Sequence, residues 1–374
     1  MAMPACWNRA RHLSAPADRR DIPSLTAIRG VAAIAVVVHH QTLFFRFNEW
    51  THPFTLISTL FMGYTGVDLF FVLSGFILTK IYLTLQPRGW GRFFLRRLLR
   101  LYPLHLSILA FMALGSLCSI GLAPHKLDWH MLAWSASLLG PFVGLGPKLW
   151  NNVSWSISVE LVCYIGFPVG VMLLRGAPNW LLGLALAGIA ALTWYVHLIH
   201  PESWVGLGAL QRGGSDFALG AVTGLLATRV TPSKIPAWGL ELLGAGLILW
   251  GMLSMQPPFI PLGAATLIFA LNAQKGPLNA LLTFRPLVYL GDISFSLYLL
   301  QFVVFFGLFA YWPLAHYPQQ LYPAWAPAFI LHELGYFAVL IILSSLTYRW
   351  IEQPCRALGH RRAQPPRPTV PAGG

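Results

Sequence analysis

The chain has 374 residues, 56% hydrophobic and only 10% charged, with a mean hydropathy of +0.62. A soluble protein carries about a quarter charged residues, so that class is excluded and an integral membrane protein is expected. The net charge of +13 alone would suit a nucleic-acid binder, but its distribution along the chain says otherwise.

Ten mainly apolar runs lie near 27–45, 57–83, 101–122, 155–174, 179–199, 206–228, 237–254, 257–274, 287–311 and 327–351. Each approaches the roughly 20 residues that cross a bilayer as a helix. They predict an all-α membrane protein, a bundle of about ten transmembrane helices. With the N-terminus inside, 21 of the 25 Lys and Arg fall on the cytoplasmic side, leaving Arg46, Lys126, Lys148 and Arg212 outside. The positive-inside rule then places both termini in the cytoplasm. The basicity is topogenic, the bilayer is the partner, and no nucleic-acid partner is expected.

Residues 1–24 read as a basic cytoplasmic segment, 25–356 as one transmembrane domain, and 357–374 as a basic, Pro-rich, disordered tail. The stretch from His130 to Gly146 is short and broken by Pro141, so it reads as re-entrant or interfacial on the outer face. No small-residue cleavage site follows the first apolar run, which reads as an uncleaved helix. Cys6, Cys118, Cys163 and Cys355 lack CxxC spacing, so neither a disulfide framework nor a metal site is expected. No soluble second domain and no short repeat are apparent.

Ionisable residues inside the apolar runs are costly and are therefore functional candidates. In "IRGVAAIAVVVHHQ" (28–41), Arg29 and His40 are eleven residues apart, close to three turns. They share a helix face at a separation of roughly 16 Å, with His39 rotated about 100° away. Arg29 suits an anion at the cytoplasmic interface, and a neutral His40 suits a general base. Asp68 lies in "GYTGVDLFFVLSGFILTK" (63–80), where Gly63, Gly66 and Gly75 permit close helix approach. Its expected partner is a histidine or arginine of the first helix, with Asp68 orienting His40 or forming a structural ion pair. Ser74 is not in a nucleophile elbow and reads as a packing serine.

In "RFFLRRLLRLYP" (92–103), Arg92, Arg96, Arg97 and Arg100 form a basic stripe, with Phe93 and Leu99 toward lipid. The stripe can anchor to headgroups or receive a polyanionic cofactor. Glu160 enters the fourth run one turn after Ser156, and it can bind a substrate hydroxyl, position a histidine or pair with an arginine. Ser294, Tyr298 and Gln301 form a polar ridge at i, i+4 and i+7. "YRWIEQP" (348–354) reads as a helix ending before Pro354.

In order, these segments resemble the integral-membrane acyltransferase-3 family of bacterial O-acyltransferases acting on polysaccharides, Nod factors and macrolides. The resemblance rests on Arg29 and His40, "GVDLFFVLSGFIL" (66–78), "RRLLRLYPLH" (96–105), "WSISVE" (155–160), "SFSLYLL" (294–300) and "IEQP" (351–354). It implies a multi-pass protein of the bacterial inner (plasma) membrane. The implied reaction moves an acyl group, most often acetyl, from cytosolic acyl-CoA to a hydroxyl of a polysaccharide, glycolipid or glycoside. Arg29 would hold the donor, with His40 as base or acyl carrier and Asp68 and Glu160 as acidic members of the site. Arg96, Arg97 and Arg100 would meet the coenzyme phosphates, and Tyr102, Ser74, Ser294, Tyr298 and Gln301 would complete the binding set. The sequence departs from the family pattern at Gln301, where a histidine is common, and the extracellular hydrolase-like domain of some members is not expected here. Two alternatives stand beside the enzyme: a proton-coupled transporter or flippase using His40, Asp68 and Glu160, and an inactive scaffold.

Overall fold

The computed structural model describes residues 22–47, 62–118, 128–230, 236–311 and 327–362. The basic segment 1–21, residues 57–61 and 119–122 of two expected spans, and the tail beyond 362 lie outside them. The described residues form helices and turns, with no strand among them.

The chain order is α1 (Pro23–Phe47), α2 (Gly66–Tyr82), α3 (Trp90–Leu117), a short α4 (Trp129–Ser137), α5 (Trp155–Leu174), α6 (Asn179–Ile199) and α7 (Gly206–Ala227). There follow α8 (Ala237–Leu253), α9 (Phe259–Leu271), α10 (Pro277–Leu282), α11 (Arg285–Asp292), α12 (Ser294–Tyr311), α13 (Pro327–Thr347) and α14 (Gln353–Arg362). Every expected apolar run contains helix. Six helices among the described residues are long and apolar enough to cross a membrane, or seven spans if α11 and α12 count as one. Of the others, α8 and α9 are apolar but shorter, and α7 buries two charged side chains, Arg212 and Asp216. Helix α4 is too short to cross, as the sequence predicts for this stretch; the Asp128 side chain caps it by accepting from the His130 amide.

Glycines set how closely the central helices approach. A Cβ on Gly75 of α2 would collide with the Phe217 carbonyl of α7, and one on Gly220 of α7 with the Val72 carbonyl of α2. Gly66 lies against the Ala32 carbonyl of α1, where a Cβ would stand at 2.7 Å, and Gly63 against that of Ala35. Small residues at such contacts let dispersion and backbone packing hold helices that gain nothing from hiding apolar surface from lipid. The outer faces accordingly carry large exposed apolar side chains, among them Trp180, Leu184 and Leu198 of α6.

Three readings of the sequence are corrected. The run 287–311 is not one straight helix: α11 and α12 meet at 68°, and the Ser294 hydroxyl donates to the Gly291 carbonyl at 2.7 Å across the break. Gly291 has no room for a side chain because the Thr26 carbonyl of α1 presses on it. Pro354 does not end the last helix. A π-turn at Tyr348–Glu352 precedes it, and α14 continues through residues 357–362, which composition assigned to the tail. The wider turn accommodates the bonding that proline's missing N–H removes. Phe93 faces inward rather than lipid, stacked on Phe167 at 5.5 Å and edge-on to Tyr82 at 4.9 Å.

Candidate active site

Seven of the residues singled out by sequence line one cavity of about 80 Å³: Arg29 of α1, Ser74 of α2, Arg97 and Arg100 of α3, Glu160 of α5, and Ser294 and Tyr298 of α12. Helix α1 begins at Pro23, so Arg29 sits in its second turn rather than at its end. Glu160 is pinned from two sides, its Oε1 accepting from the Ser74 hydroxyl at 2.6 Å and from the Tyr164 hydroxyl at 2.5 Å. Tyr298 donates to the Val153 carbonyl at 2.9 Å and accepts from Ser156 at 3.0 Å.

Arg97 and Arg100 against the carboxylate of Glu160 give this part of the cavity lining a cationic character. Arg97 packs into an aromatic cradle, 5.5 Å from the Tyr82 ring, 6.0 Å from Phe93 and 5.8 Å from Tyr164. Its Nη2 donates to the Tyr82 hydroxyl at 3.3 Å, but the buried Nε of Arg97 and that of Arg100 have no hydrogen-bond partner among the described residues. Buried donors left unmatched in this way suit an anionic ligand with several acceptor oxygens. The expected stripe is therefore split: Arg97 and Arg100 face the cavity, Arg92 is exposed, and Arg96 is half-buried outside the lining.

His40 is not part of that lining; it lies one step further along α1. Its Nδ1 meets the Gln301 Oε1 at 3.0 Å, and its ring flanks Phe302 at 5.0 Å between centroids. Helix α1 thus places Arg29 beside the start of α12 and His40 beside Gln301, two turns later on the same helix. His39 points elsewhere, 5.4 Å from the Tyr64 ring.

Asp68 does not orient His40. Its carboxylate takes a paired hydrogen bond from Arg212 of α7, Nε to Oδ1 at 2.8 Å and Nη2 to Oδ2 at 2.9 Å. A planar guanidinium matches a carboxylate side-on, and the close approach of α2 and α7 at Gly75 and Gly220 brings α7 near enough to offer one. His197 of α6 and Asp216 of α7 complete the cluster, with His197 Nε2 lying 3.7 Å from Asp68 and 3.6 Å from Asp216. Ligand atoms of Asp68, His197 and Asp216 fall within 4.8 Å of one another, a spacing that could hold a metal ion. The Arg212 guanidinium already sits against both Asp68 oxygens and would repel one, so the cluster reads as a charge-compensated ion pair.

A family profile described as an acyltransferase domain matches residues 22–349. The chain belongs to the acyltransferase-3 family. This acyltransferase is 31% identical to the acyltransferase MdmB of Streptomyces mycarofaciens, over 91% of its own chain and 93% of that protein. It is 24% identical to the peptidoglycan O-acetyltransferase OatA of Listeria monocytogenes, over 91% of its own chain but only 57% of OatA. No solved structure matches it. Membership and relatives together support membrane O-acyl transfer.

Other residues of the acyltransferase sort as follows. Tyr102 is turned from the cavity and donates to the Ser137 carbonyl at 3.4 Å. Glu241 caps α10, accepting from the amides of Leu278 and Asn279 at 3.0 and 3.2 Å. Glu352 in the π-turn accepts from Ser296 and from Arg356, the latter at 2.8 Å, and so ties the C-terminal segment to α12. Sequence reasoning missed Tyr164, which stands at i+4 from Glu160 on the same face, and left Arg212 without a role. Spacing could have found Tyr164; nothing in the sequence pairs Arg212 with Asp68.

Proposed function

We propose that the protein transfers an acyl group, acetyl by preference, from acyl-CoA to a hydroxyl of a sugar-containing acceptor at a bacterial inner membrane, with both termini cytoplasmic. The observation that carries this reading is the cationic cavity that gathers Arg29, Arg97, Arg100 and Glu160, with His40 further along the helix that bears Arg29. Arg97 and Arg100 have unmatched buried donors suited to phosphate oxygens, and Arg29 extends the same positive field along the cavity. Arg96, half-buried beside them, adds to that field at the cavity's flank. Ser74 and Tyr164 hold Glu160 so that its carboxylate faces the arginines.

His40 removes the proton from the acceptor hydroxyl as its oxygen attacks the acyl carbon. The thioester supplies the acyl group: a C–O ester bond forms, the C–S bond breaks, and the thiolate leaves with the electron pair. The imidazolium then returns its proton to the leaving thiolate or to water. The sugar-containing acceptor follows from the family resemblance and from a relative named for peptidoglycan O-acetylation.

The test is transfer of label from acetyl-CoA to glycan acceptors by the reconstituted protein. His40→Ala is expected to lower the rate by roughly 10²–10⁴-fold, the usual range for losing a general base. His39→Ala, whose ring faces Tyr64, should lose far less. Wild-type transfer by His40→Ala would overturn the assignment.

A further inference from the structure

The Gln301 side-chain amide makes two hydrogen bonds whose directions can be read from chemistry alone. Its Nε2 is 2.8 Å from the backbone carbonyl of Tyr298. A carbonyl only accepts, so the NH₂ end of the amide must lie there. The other end, Oε1, is then the one 3.0 Å from His40 Nδ1, and an amide oxygen also only accepts. Nδ1 must therefore carry the hydrogen, and in the neutral ring the lone pair falls on Nε2.

We infer that Gln301 is a positioning residue that holds His40 in the tautomer with Nδ1 protonated and Nε2 basic, and so decides which ring nitrogen takes the acceptor's proton. This rests on the reading of His40 as the base. Gln301 is well placed for that role because it is itself held rigidly. It is buried, its backbone carbonyl accepts from the Tyr336 hydroxyl at 3.2 Å, and the Tyr298 side chain one turn earlier is anchored on Val153. Phe302 flanks the imidazole, so ring rotation is limited as well as tautomer. In serine hydrolases a carboxylate orients the histidine and also stabilises the imidazolium. A glutamine supplies the acceptor without the charge.

Among the described residues the titratable and charged groups around His40 are His39 beside it on α1, Tyr64 against His39, Arg212 over the Tyr64 ring, Tyr336 against the Gln301 backbone, and the His332–Glu333 pair on the helix of Tyr336. Among the described residues no carboxylate forms an ion pair with His40.

The experiment uses the full-length protein reconstituted in lipid, with acetyl-CoA as donor and a glycan acceptor, and follows kcat and both KM values. Gln301→Leu removes the acceptor and should lower kcat by about 10–100-fold, the range for losing an orienting partner, with both KM values within about twofold. Gln301→Glu restores an acceptor and should recover most of that loss. A merely structural glutamine would not show this split, a fall in kcat at constant KM that the conservative variant restores. Wild-type kcat in Gln301→Leu, or no recovery of kcat in Gln301→Glu, would overturn the role of Gln301 while leaving His40 as base. Full activity of His40→Ala would instead overturn the assignment beneath it. Should Gln301→Leu fail to fold, Gln301→Ala, which also removes the acceptor, is read against the same outcomes.

Discussion

Asp68 and Arg212, 144 residues apart in the chain, meet side-on through two hydrogen bonds of 2.8 and 2.9 Å with both side chains buried. The pair locks α2 to α7 at the level where Arg212 also lies 5.3 Å from the Tyr64 ring. Removing one member leaves a charge stranded in a low-dielectric interior, which typically destabilises by about 3–5 kcal/mol. Arg212→Ala should therefore lower the Tm of the detergent-solubilised protein strongly. Asp68→Asn combined with Arg212→Gln should recover much of the loss, because neither variant side chain then carries a charge. Thermal unfolding measures both. An Arg212→Ala protein with wild-type Tm and no transfer activity would instead make the pair part of the chemistry.

Arg97 and Arg100 give a prediction of a different kind. Their buried Nε groups have no partner among the described residues, and both side chains line the cavity. If they receive an anionic donor, each contributes a charge-assisted hydrogen bond of about 1.5–3 kcal/mol. Arg100→Ala should raise the KM for acyl-CoA by roughly tenfold to a hundredfold, with a smaller change in kcat. Adding the anionic nucleotide portion of the coenzyme without its acyl group should inhibit the wild type and not the variant. A KM unchanged in Arg100→Ala would remove this residue from donor binding.

Much of the site was legible in the sequence, and the reason is geometric. Arg29, Ser74, Arg97, Arg100, Glu160, Ser294 and Tyr298 are polar residues within apolar helices, where polarity is costly enough to mark position. Helical periodicity then predicts which of them share a face. The ion pair was not legible, because Asp68 and Arg212 stand on helices joined only through tertiary packing. The topology count even placed Arg212 among the outer basic residues. Nor could Gln301 be tied to His40 from spacing, since α12 reaches that histidine only after the 68° bend with α11. Phe93 was misassigned because the stripe 92, 96, 100 looked like the functional face. The inward face is instead 93, 97, 100 and 101, and the aromatic cradle of Arg97 requires Phe93 on it.

The close approach of α2 and α7 at Gly75 and Gly220 carries a stability prediction that does not depend on the reaction. A Cβ on Gly220 would overlap the Val72 carbonyl, and that backbone cannot swing aside as a side chain can. Gly220→Ala should force α2 and α7 apart and lower stability by about 1–3 kcal/mol, the range for overpacking. Gly166 of α5 has open space around its Cα and serves as the control, where alanine should be neutral or slightly stabilising. Comparing the Tm of the two variants checks this, and equal Tm values would mean that the contact is looser than drawn.

Glu160 is the last member of the cavity, and its hydrogen bonds decide what its variants should do. Oε1 is shared by Ser74 and Tyr164, so the carboxylate is fixed in direction while its charge faces the arginines. Two roles follow from that placement: tempering the positive field, and orienting an acceptor hydroxyl. Glu160→Gln keeps an oxygen for Ser74 and Tyr164 but removes the charge, so the cavity becomes more cationic. The KM for an anionic donor should then fall or stay constant. The kcat should drop by at least about tenfold, since a neutral amide holds a hydroxyl less strongly than a carboxylate does. Tyr164→Phe, which loosens the carboxylate without neutralising it, should lower kcat by a smaller factor and leave the donor KM unchanged. Steady-state kinetics with donor and acceptor varied separately distinguishes these outcomes. A donor KM that rises in Glu160→Gln would show that the carboxylate supports donor binding, and the orienting role would be lost.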